Sequence, residues 1–404
     1  MPINWNWNWN WKLVLQSSIS IVSALLLIQQ LHHELIVVPS RRNKKSSKDL
    51  TLLSPRTRGI ESQIGNTPLI EIKSLSKITG CKIYAKLELA NPGGSAKDRV
   101  ALAIIRHNEQ MGNLTPYHGD IIFEGTSGST GISFAILANA LGYTAHICLP
   151  DDTSPEKLSL LRALGAELEP VKPASIVDPN QYTNAARKGS DRINNDPEDP
   201  RHAIFADQFE NDYNWRIHYE TTGPEIWQQM DENVDVFING SGTGGTIAGV
   251  GKYLHEQNSQ VKIILADPQG SGLANRVNYG VMYDTVEKEG TRRRHQVDTL
   301  VEGIGLNRLT WNFKQAEPYL HEAIRVSDDQ ALKMAKYLCI NDGLFWGSSA
   351  AINCVAAIQT ALKYGPGQRI VVVACDSGAR HLSKFWKQAS DIPNDITIND
   401  ILEN

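Results

Sequence analysis

One glycine-rich loop restricts the possible folds of this chain more than any other stretch. The run GSGTGGT, residues 240–246, follows the apolar segment Val234 to Asn239 and precedes Thr246 to His255, whose apolar residues recur at helical spacing. This pattern predicts a strand, a tight loop and a helix in succession. Because backbone amides at the start of a helix bind anions, the composition also predicts a phosphate-binding loop.

Strands and helices alternate along the chain from Ile60 onward. Besides the segment before the glycine loop, the clearest predicted strands are Cys81 to Leu89, Asp120 to Glu124, Thr144 to Pro150, Val261 to Asp267 and Ile370 to Ala374. Such alternation predicts right-handed crossovers and largely parallel sheets. Several of the strands are continuously apolar, which indicates that both faces of each sheet are covered.

The composition narrows the class of protein. A length of 404 residues predicts two domains, with three as an alternative, and a net charge of -4 gives no reason to expect a nucleic-acid partner. The five cysteines are scattered, and no two have metal-ligand spacing. Their odd number and apolar neighbours predict reduced cysteines in a reducing compartment, and we expect no metal site.

A lysine follows the strand that ends at Leu89. The sequence NPGGSAKDR, residues 91–99, contains a Pro-Gly-Gly turn and places Lys97 just before a predicted helix, Val100 to Glu109, with Ser95 available as its cap. The helix dipole and Arg99 should both disfavour a charged Lys97. A neutral amine is what Schiff-base chemistry requires. The alternative is an ordinary exposed charge pair with Asp98.

A second loop, TSGSTG at residues 126–131, also joins a predicted strand to a helix, Ile132 to Leu141. In open α/β sheets, ligands bind at the carboxyl ends of the strands. The amides and hydroxyls of this loop could hold a carboxylate, although a purely structural glycine turn is an equal alternative.

The first glycine loop allows a competing interpretation. Gly240, Gly242 and Gly245 match the G-x-G-x-x-G fingerprint, and Asp267 ends the next strand, where a ribose-binding acid would lie. A nicotinamide-dependent oxidoreductase is therefore a second candidate, but it gives no role to Lys97 or to the second loop.

Residues 1–54 differ from the rest of the chain. Asparagine and tryptophan alternate at the start, and Leu13 to Leu31 contains no charged residue. As a helix this stretch would span about 28 Å, just short of the ~30 Å hydrocarbon core of a bilayer. Five basic residues between Arg41 and Lys48 follow it. We therefore expect a membrane anchor with the downstream chain in the cytosol; a helix buried in a protein is the alternative.

Together, the motifs resemble one family. NPGGSAKDR, TSGSTG, GSGTGGT and the later GSSA at Gly347 are similar in order and spacing to the β-family, or fold type II, of pyridoxal-phosphate enzymes. Within it, the chain resembles the cysteine synthases and cystathionine β-synthases, above all the fungal cysteine synthase 2-like branch. IGNTPL at Ile64, DQFEN at Asp207, TTGPEIW at Thr221 and VEGIG at Val301 extend the resemblance over Ile60 to Leu382.

The resemblance implies a tryptophan synthase β-like fold, with two open, mostly parallel sheet domains and pyridoxal 5'-phosphate between them. It implies that Lys97 binds the cofactor and moves the Cα proton. The other implied site residues are Gly242, Thr243, Gly244, Gly245 and Thr246 for the cofactor phosphate, Ser349 for the pyridine nitrogen, Ser129 for the ring, Thr126, Ser127, Gly128, Thr130 and Gln208 for the substrate carboxylate, and Gly303 at the substrate entrance.

The implied reaction is the replacement of the acetate of O-acetyl-L-serine by sulfide to give L-cysteine. A neutral hydroxyl at Ser349 makes the cofactor ring a weaker electron sink, which favours expulsion of a β-substituent. Cysteine synthases usually carry asparagine where this chain has Ser129, and the serine occurs in relatives that break cysteine into sulfide, pyruvate and ammonia. A cysteine desulfhydrase is therefore the main alternative, and a non-catalytic, membrane-tethered binding protein is a more distant one.

The same resemblance sets the expected organisation. A larger cofactor-binding domain would comprise residues 55–94 and 206–392, a smaller mobile domain residues 95–205, and a tail residues 393–404. A homodimer is implied. We expect attachment to the mitochondrial outer membrane through the N-terminal segment.

Overall fold

The computed structural model describes residues 59–284 and 299–403. The predicted membrane anchor, Leu13 to Leu31, and the basic cluster after it lie outside these residues, as does the charged run Glu287 to Gln296. Within the described ranges, no helix has the length and apolar character needed to cross a bilayer.

The larger sheet contains six strands in the order β1-β2-β10-β7-β8-β9, and only β1 runs antiparallel to its neighbour. The smaller sheet contains four strands, all parallel, in the order β5-β4-β3-β6. The strands are β1 Leu69–Glu71, β2 Lys82–Leu87, β3 Ile121–Gly125, β4 Thr144–Pro150, β5 Glu167–Val171, β6 Ala203–Phe205, β7 Val236–Gly240, β8 Lys262–Pro268, β9 Leu320–Val326 and β10 Arg369–Ala374.

Helices cover both faces of each sheet. They are α1 Lys73–Thr79, α2 Lys97–Gln110, α3 Ser129–Leu141, α4 Pro155–Ala163, α5 Tyr182–Asn194, α6 Tyr213–Ile217, α7 Gly223–Gln229, α8 Gly245–Gln257, α9 Leu273–Tyr279, α10 Trp311–Ala316, α11 Asp328–Asp342, α12 Ser348–Tyr364, α13 Lys387–Ala389 and α14 Ile398–Leu402. The prediction of two largely parallel α/β sheets is confirmed.

The central strands are buried on both sides, as their continuous apolar sequences predict. In β7, Ile238 faces one core cluster and Phe237 faces another on the opposite side of the sheet. In β3, Ile122 and Phe123 divide in the same way between the two faces of the smaller sheet. Because alternate residues enter different cores, neither face of these strands can accept polar residues without cost.

The smaller sheet lies within residues 121–205, inside the predicted small domain. The boundaries 95–205 themselves stay a prediction. Strands β5, β6 and β9 are absent from the sequence-based expectation: β5 has no fully buried residue, β6 has three residues, and β9 is half-exposed along most of its length. Short or edge strands lack the apolar run that marks a central strand.

Candidate active site

Lys97 lies where the chain turns from β2 into α2. The helix begins at Lys97, earlier than predicted, and its N-cap residue is Ala96, without a side-chain cap. The predicted cap Ser95 instead accepts a hydrogen bond from the Lys97 amide at 3.3 Å. Antiparallel bridges join Ser95 to Asp376 and Trp346 to Ser377, so the segment after β10 connects the lysine turn to the start of α12.

Lys97 is half-buried, and its side chain forms no hydrogen bond or ion pair with any residue that the structure describes. Burial lowers the pKa of Lys97, while the negative charges of Asp376 and Glu88 oppose that shift. This favours the neutral amine that a Schiff base requires. The direction of the shift agrees with the sequence-based expectation.

Of the two expected causes of that shift, Arg99 was wrong, and the helix dipole stays a prediction. Arg99 is not among the groups that shift the pKa of Lys97, and its guanidinium instead pairs with Glu88 at 2.8 Å and with Glu225 at 2.7 Å. Lys86, which is fully buried, also pairs with Glu225 at 2.7 Å. Burial favours the neutral acid of Glu225, but Arg99 and Lys86 outweigh it and hold the pKa at about 2.

Asp98 does not form the exposed pair with Lys97 that was the alternative interpretation. It is buried, accepts a hydrogen bond from the Gly93 amide at 2.5 Å and another from the Ser133 hydroxyl at 2.6 Å. The carboxylate therefore fixes the Pro-Gly-Gly turn and joins α2 to α3, which leaves the neighbouring lysine free for chemistry.

The loop between β7 and α8 is tightly enclosed by its surroundings. A Cβ atom at Gly242 would lie 2.0 Å from the Gly303 carbonyl oxygen, and one at Gly245 would lie 1.9 Å from the Asn214 side chain. Gly244 has a φ of +96°, and a Cβ there would lie 2.4 Å from the Phe313 amide nitrogen. These positions require glycine, as expected of a backbone that must approach a phosphate closely.

Two side chains that the sequence did not indicate support this loop. Asn214 donates hydrogen bonds to the Gln208 carbonyl at 2.6 Å and to the Thr243 hydroxyl at 2.9 Å. His218 places Nε2 3.2 Å from the Thr246 hydroxyl oxygen. Burial holds the pKa of His218 well below its usual value, and the charges of Arg99 and Lys97 add to the effect, so the imidazole is neutral.

Ser349 lies in the first turn of α12 and is buried. It interacts with the thiol of Cys375, which directly follows β10. Burial raises the pKa of that thiol to about 11, while Ser349 and Lys97 act to lower it. The predicted ring-nitrogen contact and the predicted Schiff-base lysine thus share one neighbour.

The loop between β3 and α3 is more open. Thr126 and Thr130 are buried, whereas Ser127 is half-buried and Gly128 is exposed. Gly128 donates its amide hydrogen to the Thr126 hydroxyl at 3.2 Å, and Thr130 donates to the Gln208 side chain at 2.6 Å. The structure therefore brings Gln208 to this loop, as the resemblance implied.

Ser129 faces a partner that the sequence did not reveal. The Arg380 guanidinium donates to the Ser129 hydroxyl at 3.1 Å and also to the Gly93 carbonyl. Arg380 therefore bridges the lysine turn and the hydroxyl loop, two of the elements that carry predicted site residues.

These residues fit pyridoxal phosphate. They combine the unpaired amine of a half-buried lysine, a glycine cradle at a helix N-terminus and a buried Ser241 hydroxyl that has no partner among the described residues. Asp267 fits a nucleotide poorly, because it is completely buried and accepts a hydrogen bond from the Ala274 amide at 2.7 Å. The cofactor phosphate would be held by residues 242–246 and the aldehyde by Lys97.

Comparisons with known proteins agree with this chemistry. Residues 60–376 match the family described as "Pyridoxal-phosphate dependent enzyme". A Saccharomyces cerevisiae protein named "Putative mitochondrial cysteine synthase" is 62% identical over 350 residues, 86% of this chain and 89% of that protein. "Cysteine synthase 2" of Schizosaccharomyces pombe is 53% identical over 344 residues, 85% of this chain and 87% of that protein.

A crystal structure of O-ureido-L-serine synthase superposes with a TM-score of 0.71 at 27% identity, covering 84% of this chain and 98% of that chain. The chain is therefore a pyridoxal-phosphate-dependent enzyme of fold type II. Within this class, it belongs to the cysteine synthase family.

Proposed function

We propose that this enzyme replaces the acetate of O-acetyl-L-serine by sulfide to give L-cysteine. The observation that carries the proposal is the unpaired amine of Lys97, on a turn that Arg380 joins to a hydroxyl loop suited to a carboxylate, in a chain that also provides a glycine cradle suited to phosphate. The names of the fungal relatives support synthesis of cysteine and do not favour the desulfhydrase alternative.

Lys97 removes the substrate's Cα proton. Its lowered pKa increases the fraction of neutral amine near pH 7, which is the form that can accept a proton. When bound, the cofactor withdraws electrons from Cα and so acidifies that proton. Ser349 would present a neutral hydroxyl to the ring nitrogen, and a neutral partner there would favour expulsion of the β-substituent.

The β3–α3 loop orients the amino acid. Thr126, Ser127, Gly128 and Thr130 hold the substrate carboxylate, with Gln208 beside them, and Gly303 lines the entrance. The exposed Gly128 leaves this loop accessible to an arriving substrate. We assign the loop to a mobile domain of residues 95–205 that closes when the carboxylate binds.

Lys97→Ala is the decisive test, and the expected result is complete loss of turnover together with loss of the cofactor's visible absorbance. Purified protein is assayed with O-acetylserine plus sulfide, and separately with cysteine alone. Lys172→Ala, at an exposed lysine, is the control and should behave as wild type. Full activity in Lys97→Ala would overturn the proposal, and rapid stoichiometric pyruvate from cysteine would establish the desulfhydrase instead.

We further infer that residues 13–31 attach the enzyme to the mitochondrial outer membrane, with the catalytic part in the cytosol. The uncharged stretch and its basic flank support membrane attachment with the catalytic part in the cytosol. The name of the yeast relative supports a mitochondrial location. Protease added to intact mitochondria should remove the catalytic part. Protection from the protease would contradict this location.

A homodimer is also proposed, on the basis of the family resemblance alone. Light scattering of residues 59–404 should give twice the mass of one chain, and a single-chain mass would reject the dimer.

A further inference from the structure

An ion pair joins the part of the enzyme that contains the four-stranded sheet to the segment that leads into β9. Lys157 lies on α4, which packs in the half that contains the four-stranded sheet. Its Nζ atom lies 2.8 Å from Oε2 of Glu302, which precedes β9 of the six-stranded sheet. Each side chain is 31% exposed. The pair is therefore neither fully screened by solvent nor buried at a large desolvation cost.

Lys157 is connected by side-chain packing to the TSGSTG loop, which is proposed to bind the substrate carboxylate. The same helix carries Leu161, which is buried, and a Cβ atom at Gly131 would lie 3.4 Å from the Leu161 side chain. Gly131 is the last residue of the TSGSTG loop. A displacement of α4 would therefore be transmitted by packing to the loop that is proposed to bind the substrate.

Glu302 is linked to the cofactor side. Its amide donates to the Ser348 hydroxyl at 3.0 Å, next to Ser349. Three residues further along, Gly305 donates its amide hydrogen to the carbonyl of Ser241 in the phosphate loop at 2.8 Å. The acidic end of the ion pair is thus fixed to the two elements that would hold the cofactor's ring nitrogen and phosphate.

Glu302 is held in place by a second charged pair. His381 places Nδ1 3.4 Å from Glu302 and Nε2 3.0 Å from Asp376. Burial works to lower the pKa of His381, but Asp376 and Glu302 raise it to about 9. The charges of Lys157, Glu302, His381 and Asp376 therefore alternate in sign from the outer helix to the segment bridged to Ser95.

We propose that Lys157 and Glu302 are positioning residues whose ion pair holds the carboxylate loop closed over the cofactor. The inference rests on the proposed function, because it takes that loop as the site that binds the amino acid. The pair touches no reacting atom. Its loss should weaken amino-acid binding while leaving cofactor binding and the chemical step nearly intact.

The test is a double-mutant cycle with Lys157→Gln, Glu302→Gln and the double variant, read by the change in cofactor absorbance as L-serine or O-acetylserine is added. Each single variant should raise the amino-acid Kd about two- to fivefold, the range expected of a partly exposed ion pair. The double variant should bind the amino acid no more weakly than the single variant with the higher Kd.

Arg162→Gln is the matched control, because Arg162 is exposed on the same helix and has no partner among the described residues. It should leave the Kd unchanged. Unchanged Kd values in the single variants, or effects that simply add in the double variant, would overturn the ion-pair proposal. A wild-type enzyme whose absorbance ignores every added amino acid would instead defeat the proposed function, so the two failures are distinguishable.

Discussion

Two loops in this enzyme share one construction but differ in how firmly they are held. Both follow a buried parallel strand and lead into a helix. In the β7–α8 loop, added Cβ atoms would collide with the Gly303 carbonyl, the Phe313 backbone or Asn214. In the β3–α3 loop, a Cβ at Gly128 would meet nothing closer than 3.9 Å.

The difference matches the two ligands. A resident cofactor gains from a rigid cradle, because the cost of ordering the loop has already been met during folding. An arriving substrate needs an accessible loop that can close after binding. The same strand–loop–helix arrangement therefore serves permanent and transient binding, and the neighbouring side chains decide which one.

Of the changes that test this difference between the two loops, Gly244→Ala should have the largest effect. Its positive φ and the 2.4 Å approach to the Phe313 backbone leave no space for a methyl group, and backbone strain of this kind costs about 1–3 kcal/mol. We expect cofactor affinity to fall about 10- to 100-fold, measured by equilibrium titration of the apoenzyme with pyridoxal phosphate. Gly128→Ala, the counterpart in the open loop, should retain normal cofactor affinity. Equal losses in both variants would show that the two loops are equally constrained.

The sequence predicted both loops but not what supports them. Lys97 and the residues of the glycine and hydroxyl loops are local motifs, and continuous apolar runs mark strands such as β10. Arg99 and Glu225, by contrast, are separated by 126 positions, and Lys157 and Glu302 by 145. In the sequence alone, each of these residues looks like an ordinary surface charge. Only folding reveals that Arg99 is buried and paired.

His218 and Asn214 were missed for the same reason. Neither belongs to a recognisable motif. Asn214 contacts Thr243 in the β7–α8 loop, and His218 contacts Thr246 in the first turn of α8. The wrong cause assigned to the lowered pKa of Lys97 has a related origin. Sequence proximity placed Arg99 beside the lysine, whereas the fold turns its guanidinium into a carboxylate cluster.

We expect the free energy of unfolding to depend on pH through His381, which lies beside Glu302 and Asp376. The pKa of His381 is raised from 6.5 to about 9 by Asp376 and Glu302, despite burial, which acts to lower it. Because the folded pKa exceeds the unfolded one, this stabilisation is complete below pH 6.5 and is lost as the pH rises to about 9. Its magnitude is on the order of 3 kcal/mol.

Urea unfolding at pH 6, 7.5 and 9.5 measures that loss. In His381→Gln the enzyme should be less stable at pH 6, and the decline between pH 6.5 and 9 should be shallower than in wild type. His202→Gln, at an exposed histidine 3.7 Å from the Asp120 carboxylate, is the control for a histidine with a weaker carboxylate contact. A wild-type decline that persists unchanged in His381→Gln would assign it to other groups.

Ser129→Ala should have the smallest effect and should fall on the open loop alone. The substitution removes the hydroxyl that accepts from Arg380 at 3.1 Å, while the second Arg380 contact, to Gly93, remains. One hydrogen bond contributes about 0.5–1.5 kcal/mol, so the KM for the amino acid should rise about two- to tenfold. Cofactor affinity should change little, because the phosphate cradle is untouched and serine is shorter than the asparagine that cysteine synthases usually carry at this position next to the ring. If Ser129→Ala instead released the cofactor, Ser129 and Arg380 would belong to the rigid cofactor site. Only the rest of the β3–α3 loop would then serve the transiently bound substrate.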